Sequence, residues 1–302
     1  MSRRVRSLCR LEEGATMFML VGLNAAILFF TDFGKAASVF FLNLTFIAVI
    51  LIISRLHGRW NNRAFTFLRD WYPLPLLITI YLELGRLVPL VNPHDADGLL
   101  IEIDRGMFLG HDPTVLLENI TVPLVTEFLQ IVYASFYLLP FALSILVYWK
   151  GRRETFHTVA SAIIIGFYVS YVGYFLTPAI GPRYTLDHLQ NLQLTGLVSF
   201  DFIRWILDSA SGIMRDCCPS GHTMLSLVTV FLAWRYERKF TSIALAWSIV
   251  LIFSAVYLRY HYVIDVIIGI VLALAFTLAF PAIEKYSDGI SASYGISFSK
   301  MR

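Results

Sequence analysis

Residues 15–30 read ATMFMLVGLNAAILFF, and runs of this kind return along the chain, too long and too apolar for a water-soluble core to require. About 20 apolar residues cross the ~30 Å of hydrocarbon in a bilayer, and in lipid a backbone satisfies its N–H and C=O groups only as a helix or a closed barrel. No segment alternates apolar and polar residues over about ten positions, as a barrel strand would, so helices are predicted. A content of 57% hydrophobic against 15% charged residues agrees. Eight candidate spans fall at about 16–31, 36–54, 72–90, 126–149, 158–178, 220–235, 240–258 and 262–281. The predicted fold is an all-α integral membrane protein, a polytopic helical bundle. Its parts are N-terminal transmembrane helices over 1–90, a loop with an amphipathic segment over 91–125, a core over 126–285 and a flexible tail over 286–302.

The basic residues orient this bundle. Arg3, Arg4, Arg6 and Arg10 precede the first span, Arg55, Arg59, Arg63 and Arg69 follow the second, and Lys150, Arg152 and Arg153 follow the fourth. Arg235, Arg238 and Lys239 follow the sixth, and Lys285, Lys300 and Arg302 the eighth. If all eight segments cross, these groups share one side, which the positive-inside rule makes cytoplasmic, with both termini. The first span has the charge order of a signal peptide, but its apolar stretch is long and no small-residue cleavage site follows. It reads as a retained signal-anchor helix. A net charge of only +3, scattered over short loops, gives no support for a nucleic-acid partner.

Few cations remain on the opposite side: Lys35, Arg105, Arg183, Arg204, Arg215 and Arg259. Several stand beside unusual motifs. CCPSGHT (217–223) opens an apolar run with turn residues. With Ser220 as N-cap, the helix would begin at Gly221 and offer free N–H groups and the positive end of its dipole to an anion, with His222 in the first turn. In HYVID, His261 and Asp265 stand four apart on one helical face, so the carboxylate can fix the imidazole tautomer and leave the other nitrogen nucleophilic. In TPAIGPRYT, Pro178 and Pro182 end the fifth span and Gly181 loosens the turn, presenting Arg183, whose planar fork suits phosphate.

Other residues read as scaffold. Glu83 and Arg86, three apart, suit an intramembrane ion pair, and Tyr133 and Tyr137 suit packing or the lining of a lipid route. His94, Asp95, Asp97, His111 and Asp112 lie in an acidic loop without a repeated ligand spacing, and Cys9, Cys217 and Cys218 give neither a disulfide framework nor a paired metal site. No metal or cofactor is expected.

PSGH, followed 39 positions after its His by the His of an H-x-x-x-D pair, resembles the second and third signature motifs of the type 2 phosphatidic acid phosphatase superfamily, which includes vanadium haloperoxidases. The match covers roughly the C-terminal half. HYVIDV, GPRY, RDWYPL and ID-x-x-x-F-L-G are similar to the inositol phosphorylceramide synthase and sphingomyelin synthase branch. The resemblance implies a phosphatase-like catalytic core in which His261 attacks phosphorus to form a phosphohistidine and Asp265 orients it. His222 then serves as acid and base, Ser220 and Gly221 cradle the phosphate oxygens, and Arg183 neutralises them.

The chain departs from the superfamily pattern at two cations. Leu176 stands where the first motif has Lys, Tyr184 follows Arg183, and Ser254 is followed by Ala255 where the third motif has Arg. Arg259 and Arg215 are candidate substitutes, and fewer cations suit a phosphodiester. The reading is a lipid phosphotransfer enzyme at the outer leaflet, its partners a membrane lipid substrate and an acceptor, which is a lipid, an alcohol or water. Head-group transferase is the preferred form and lipid phosphatase the alternative. A transporter would instead place ionisable residues at mid-span.

Overall fold

The structure is a computed structural model that describes residues 9–57, 62–211 and 213–293. Arg3, Arg4, Arg6, Arg59, Lys300, Arg302 and positions 294–302 of the expected tail lie outside the described residues. The helices in chain order are α1 Leu11–Phe30, α2 Phe33–Leu56, α3 Arg63–Trp71, α4 Pro73–Val91, α5 Asp97–Met107, α6 Pro113–Leu116 and α7 Pro123–Ala134. After these come α8 Leu138–Trp149, α9 Arg153–Leu176, α10 Pro182–Thr185, α11 Phe200–Ser211, α12 Gly221–Tyr236, α13 Arg238–Tyr257 and α14 Val263–Ser293. α14 therefore runs into the segment expected to be a tail.

Among the described residues six helical stretches are long and apolar enough to cross a membrane: α1, α2, α3 with α4, α9, α13 and α14. The pair α7 and α8 makes a seventh if its 49° bend lies within one span. The eighth expected segment is α12, whose 16 residues rise only about 24 Å, short of the hydrocarbon thickness. Eight full spans are therefore not what the structure displays. The bend between α7 and α8 has a local cause, because Pro140 offers no N–H in the first turn of α8. Trp247 Nε1 donates to Ser135 Oγ at 2.8 Å and fixes the corner.

α12 sits at the centre. It packs on α13, α14, α9 and α8, and Met224, Leu225, Val228 and Leu232 along it are buried. Its two ends differ in chemistry. Beyond its C-terminus, Glu237 binds Lys150 and Arg152, and in the same basic-rich region of the chain Glu13 binds Arg69 while Asp70 binds Arg10 and Arg153. Its N-terminus opens into the motif residues.

The expected Glu83–Arg86 pair does not form. Arg86 Nη1 donates to Ser38 Oγ at 3.0 Å instead, and both Glu83 carboxyl oxygens are buried without a hydrogen-bond partner among the described residues. The two residues are one turn apart, but α2 offers the guanidinium a nearer hydroxyl. The acidic segment 91–125 supplies structural carboxylates. α5 exposes Leu99 and Met107 while Asp97 and Asp104 point inward, at 5% and 2% exposure. Asp104 accepts the Val263 and Ile264 amides at 2.8 Å each, satisfying two free donors at the start of α14.

Candidate active site at the head of α12

The chain has to make three unusual turns to bring its motifs together. At the first, Gly181 adopts φ +101°, open to glycine at little cost, and Asp97 accepts the amides of Ile180 and Gly181 at 2.9 and 2.8 Å. At the second, Gly173 of α9 lies so close to the PSGH turn that a Cβ there would sit 2.4 Å from Pro219 Cδ. At the third, α13 ends, Arg259 takes a φ of 67°, and the amides of Tyr260 and His261 both close on the Ala255 carbonyl at 3.0 Å. Ser220 N then donates to the Asp265 carbonyl at 3.2 Å, which ties the second turn to α14.

These turns place the two histidines, 39 residues apart in sequence, with His261 Nε2 3.3 Å from His222 Nδ1. His261 Nδ1 lies 2.9 Å from the Cys217 carbonyl and 3.3 Å from Asp265 Oδ2. Both neighbours only accept, so in a neutral ring Nδ1 carries the proton and Nε2 keeps its lone pair. Burial pushes the His261 pKa down, but the charge and hydrogen bond of Asp265, with help from Asp216 and the Cys217 carbonyl, hold it above the ordinary histidine value. His222 is stacked on Tyr133, with centroids 4.5 Å apart, and Tyr133 Oη approaches its Nδ1 at 3.4 Å. Its Nε2 has no hydrogen-bond partner among the described residues.

Both imidazoles open into a cavity of about 510 Å³ whose other walls include Tyr81, Tyr137, Leu82 and Met214. That volume is within the ~300–1,000 Å³ usual for ligand sites. Arg183 also lines it, paired through both guanidinium nitrogens with Asp208 of α11 and lying 5.7 Å from the Tyr260 ring centroid. Asp216, which accepts from Tyr81 Oη at 2.5 Å, has its pKa raised mainly by burial. Tyr133 and Tyr137 thus line the site while also packing against the hydrophobic core.

Other sequence-derived candidates lie elsewhere. Ser220 is fully buried, and its Oγ accepts the Thr223 amide at 3.3 Å and meets Thr223 Oγ1 at 2.9 Å. Its hydroxyl is occupied in capping α12, and neither it nor the buried Gly221 lines the cavity. Arg215 binds Asp95, with Nη2 to Oδ2 at 3.0 Å, and does not line the cavity. Arg259 turns away as well: its nitrogens donate to Gln190 Oε1, Glu118 Oε1 and the Leu192 carbonyl at 2.8, 2.9 and 2.7 Å. The cause is its left-handed backbone, which aims His261 and Arg259 in different directions.

Sequence reasoning missed Cys217. Its carbonyl fixes His261, and its Sγ donates to Asp265 Oδ2 at 2.8 Å. Cys217 Sγ, His261 Nδ1 and an Asp265 oxygen lie within 4.8 Å of one another, a spacing that could hold a metal ion. The thiol is raised well above its usual pKa, first by burial and then by Asp265, which favours the protonated donor over a thiolate ligand. Arg204, counted among the outer-side cations but not among the phosphate-binding candidates, has a guanidinium with no ion-pair or hydrogen-bond partner among the described residues, 5.7 Å from the Tyr260 ring centroid.

Phosphoinositol dihydroceramide synthase of Bacteroides thetaiotaomicron is 28% identical over 204 residues, which are 61% of this chain and 66% of that protein, slightly under two thirds of its length. No solved structure matches the chain. The sequence profile of the PAP2 superfamily matches residues 98–279, more than half of the chain and the part that holds both histidines. The chain belongs to the PAP2 superfamily.

Proposed function

We propose that this protein is a membrane phosphotransferase that moves a phosphorylated head group between lipids through a phosphohistidine on His261, on the extracytoplasmic side. The observation that carries the reading is the His261 ring, with Nδ1 held by two acceptors and Nε2 directed at His222 across 3.3 Å. In the first step the Nε2 lone pair attacks phosphorus. The phosphorus–oxygen bond to the lipid breaks, and His222, protonated once the anionic donor is bound, gives its proton to the departing alkoxide. In the second step His222 takes the proton of the acceptor hydroxyl, that oxygen attacks phosphorus, and the nitrogen–phosphorus bond breaks.

Asp265 stabilises the positive charge that develops on His261 and holds its orientation. Arg183 exchanges Asp208 for the phosphate oxygens, a charge match that strengthens as the pentacoordinate centre forms. The largely apolar cavity accommodates the lipid end of the donor. One positioned acid–base group contributes roughly 10²–10⁴-fold, so His222→Ala is expected to lower turnover by that range. No step requires a metal.

The transferase form is favoured over hydrolysis by the missing motif cations and by the name of the Bacteroides relative. The test supplies purified protein in detergent with labelled phosphatidylinositol, with and without ceramide. Labelled phosphoinositol-ceramide is the expected product, and release of water-soluble inositol phosphate alone rejects transfer.

A further inference from the structure

A second cavity, of about 610 Å³, adjoins the first and shares Arg183 and Tyr184 with it. The two differ in chemistry. The histidine cavity has aliphatic and aromatic walls beyond its reactive groups, whereas nine of the twelve residues around the second carry polar side chains. Asp187, Gln193 and Asp201 hold no side-chain hydrogen bond among the described residues, and Arg204 holds neither hydrogen bond nor ion pair. Acceptors, amides and an unpaired cation are therefore left available on one wall.

This wall is fixed by two carboxylates. Glu118 accepts the Asn191 amide at 3.1 Å and binds Arg259. Glu127 accepts the amides of Leu197, Ser199 and Phe200 at 2.9, 2.6 and 3.1 Å, which secures the approach to α11. Arg204 emerges from the first turns of α11 over the Phe200 and Tyr260 rings, and Arg183 approaches the same Tyr260 ring. Arg183 lines both cavities and Arg204 the second, so two guanidiniums stand near the boundary between an apolar compartment and a polar one. A phosphodiester with a lipid on one side and a polyol on the other has this same polarity, while a phosphomonoester has nothing to place in the second compartment.

We propose that the second cavity binds the polyhydroxylated head group of a phosphodiester lipid, with Arg204 as the second phosphate-binding cation beside Arg183. Amides and carboxylates pair with ring hydroxyls as both donors and acceptors, which gives orientation as well as affinity. Arg204 supplies the cation that Leu176 and Ala255 do not. The assignment rests on the phosphotransfer reading above and adds the residues that receive the head group and its phosphate.

The test compares kcat/KM for phosphatidylinositol and for phosphatidate in the same ceramide-containing mixed micelles, for the wild type, the double variant Asp187→Ala/Gln193→Ala, and Arg204→Gln. The wild type is expected to prefer phosphatidylinositol. The double variant should lose at least tenfold of that preference, and Arg204→Gln should lower both constants by about tenfold or more. Thermal unfolding in detergent establishes that each variant is folded, and Asp187→Asn with Gln193→Glu provides a conservative pair if the first does not fold.

An unchanged preference in folded protein overturns the head-group assignment while leaving phosphotransfer intact. Unchanged constants for Arg204→Gln overturn its role in phosphate binding. A wild type that turns over phosphatidate but not phosphatidylinositol overturns the assignment together with the transferase form. A wild type inert towards both overturns the phosphotransfer reading itself.

Discussion

Asp265→Asn separates the two supports of His261. The carboxylate Oδ2 lies 3.3 Å from Nδ1, but the Cys217 carbonyl lies nearer, at 2.9 Å, and survives the substitution. The amide has the same shape and can still accept from Tyr262 N and Cys217 Sγ, which reach Oδ2 at 3.2 and 2.8 Å. The tautomer should therefore persist, and what disappears is one charge-assisted interaction in a buried site. Such an interaction is worth about 1.5–3 kcal/mol, which predicts a fall in kcat of about 10- to 150-fold. His261→Ala, which removes the nucleophile, should fall to background. The assay is turnover of labelled phospholipid in mixed micelles, with thermal unfolding as a control for folding. If Asp265→Asn is as inactive as His261→Ala while folded, the carbonyl does not hold the ring, and the argument from the 2.9 Å contact is wrong.

The pH profile gives an independent check. Because His261 attacks as the neutral ring and its pKa in the free protein is held above the usual value, kcat/KM should rise through an acid limb displaced above ordinary histidine. Asp265→Asn removes the principal raising influence and should move that limb to lower pH. A limb that moves upward contradicts the assignment. Asp208→Asn should free Arg183 for phosphate. Since a partly exposed ion pair is worth about 0.2–1 kcal/mol, KM should drop about 1.5- to 5-fold, and a higher KM in the same assay refutes the exchange. Gly173→Ala inserts a methyl 2.4 Å from Pro219 Cδ, and overpacking of this kind costs about 1–3 kcal/mol. Its melting temperature in detergent should fall with activity, and a full-strength Tm contradicts the tight α9 contact.

Much of this architecture was legible because lipid imposes a simple rule: a backbone without water must be helical, so long apolar runs announce themselves. The span count was less legible because α12 is short, its apolar stretch framed by a capped turn and by the basic cluster at Glu237. The two histidines were readable because each sits in a short motif whose chemistry is local. The cations were not. Arg259 and Arg215 lie beside the motifs in sequence, yet a left-handed backbone and an acidic partner turn them elsewhere. Arg204 approaches the same Tyr260 as Arg183 only through the folding of the 186–200 segment under Glu118 and Glu127, which no local pattern encodes. Asp97 and Asp104 were hidden for a related reason: an acidic stretch looks solubilising until its partners, amides from distant turns, are known.

Capture of the covalent intermediate bears most directly on the mechanism. Protein mixed with a labelled phospholipid donor in the absence of acceptor, quenched in alkali and digested, should carry label in the peptide containing His261, and His261→Ala should carry none. Label on another residue of the active protein, or its persistence in folded His261→Ala, would contradict the nucleophile assigned here.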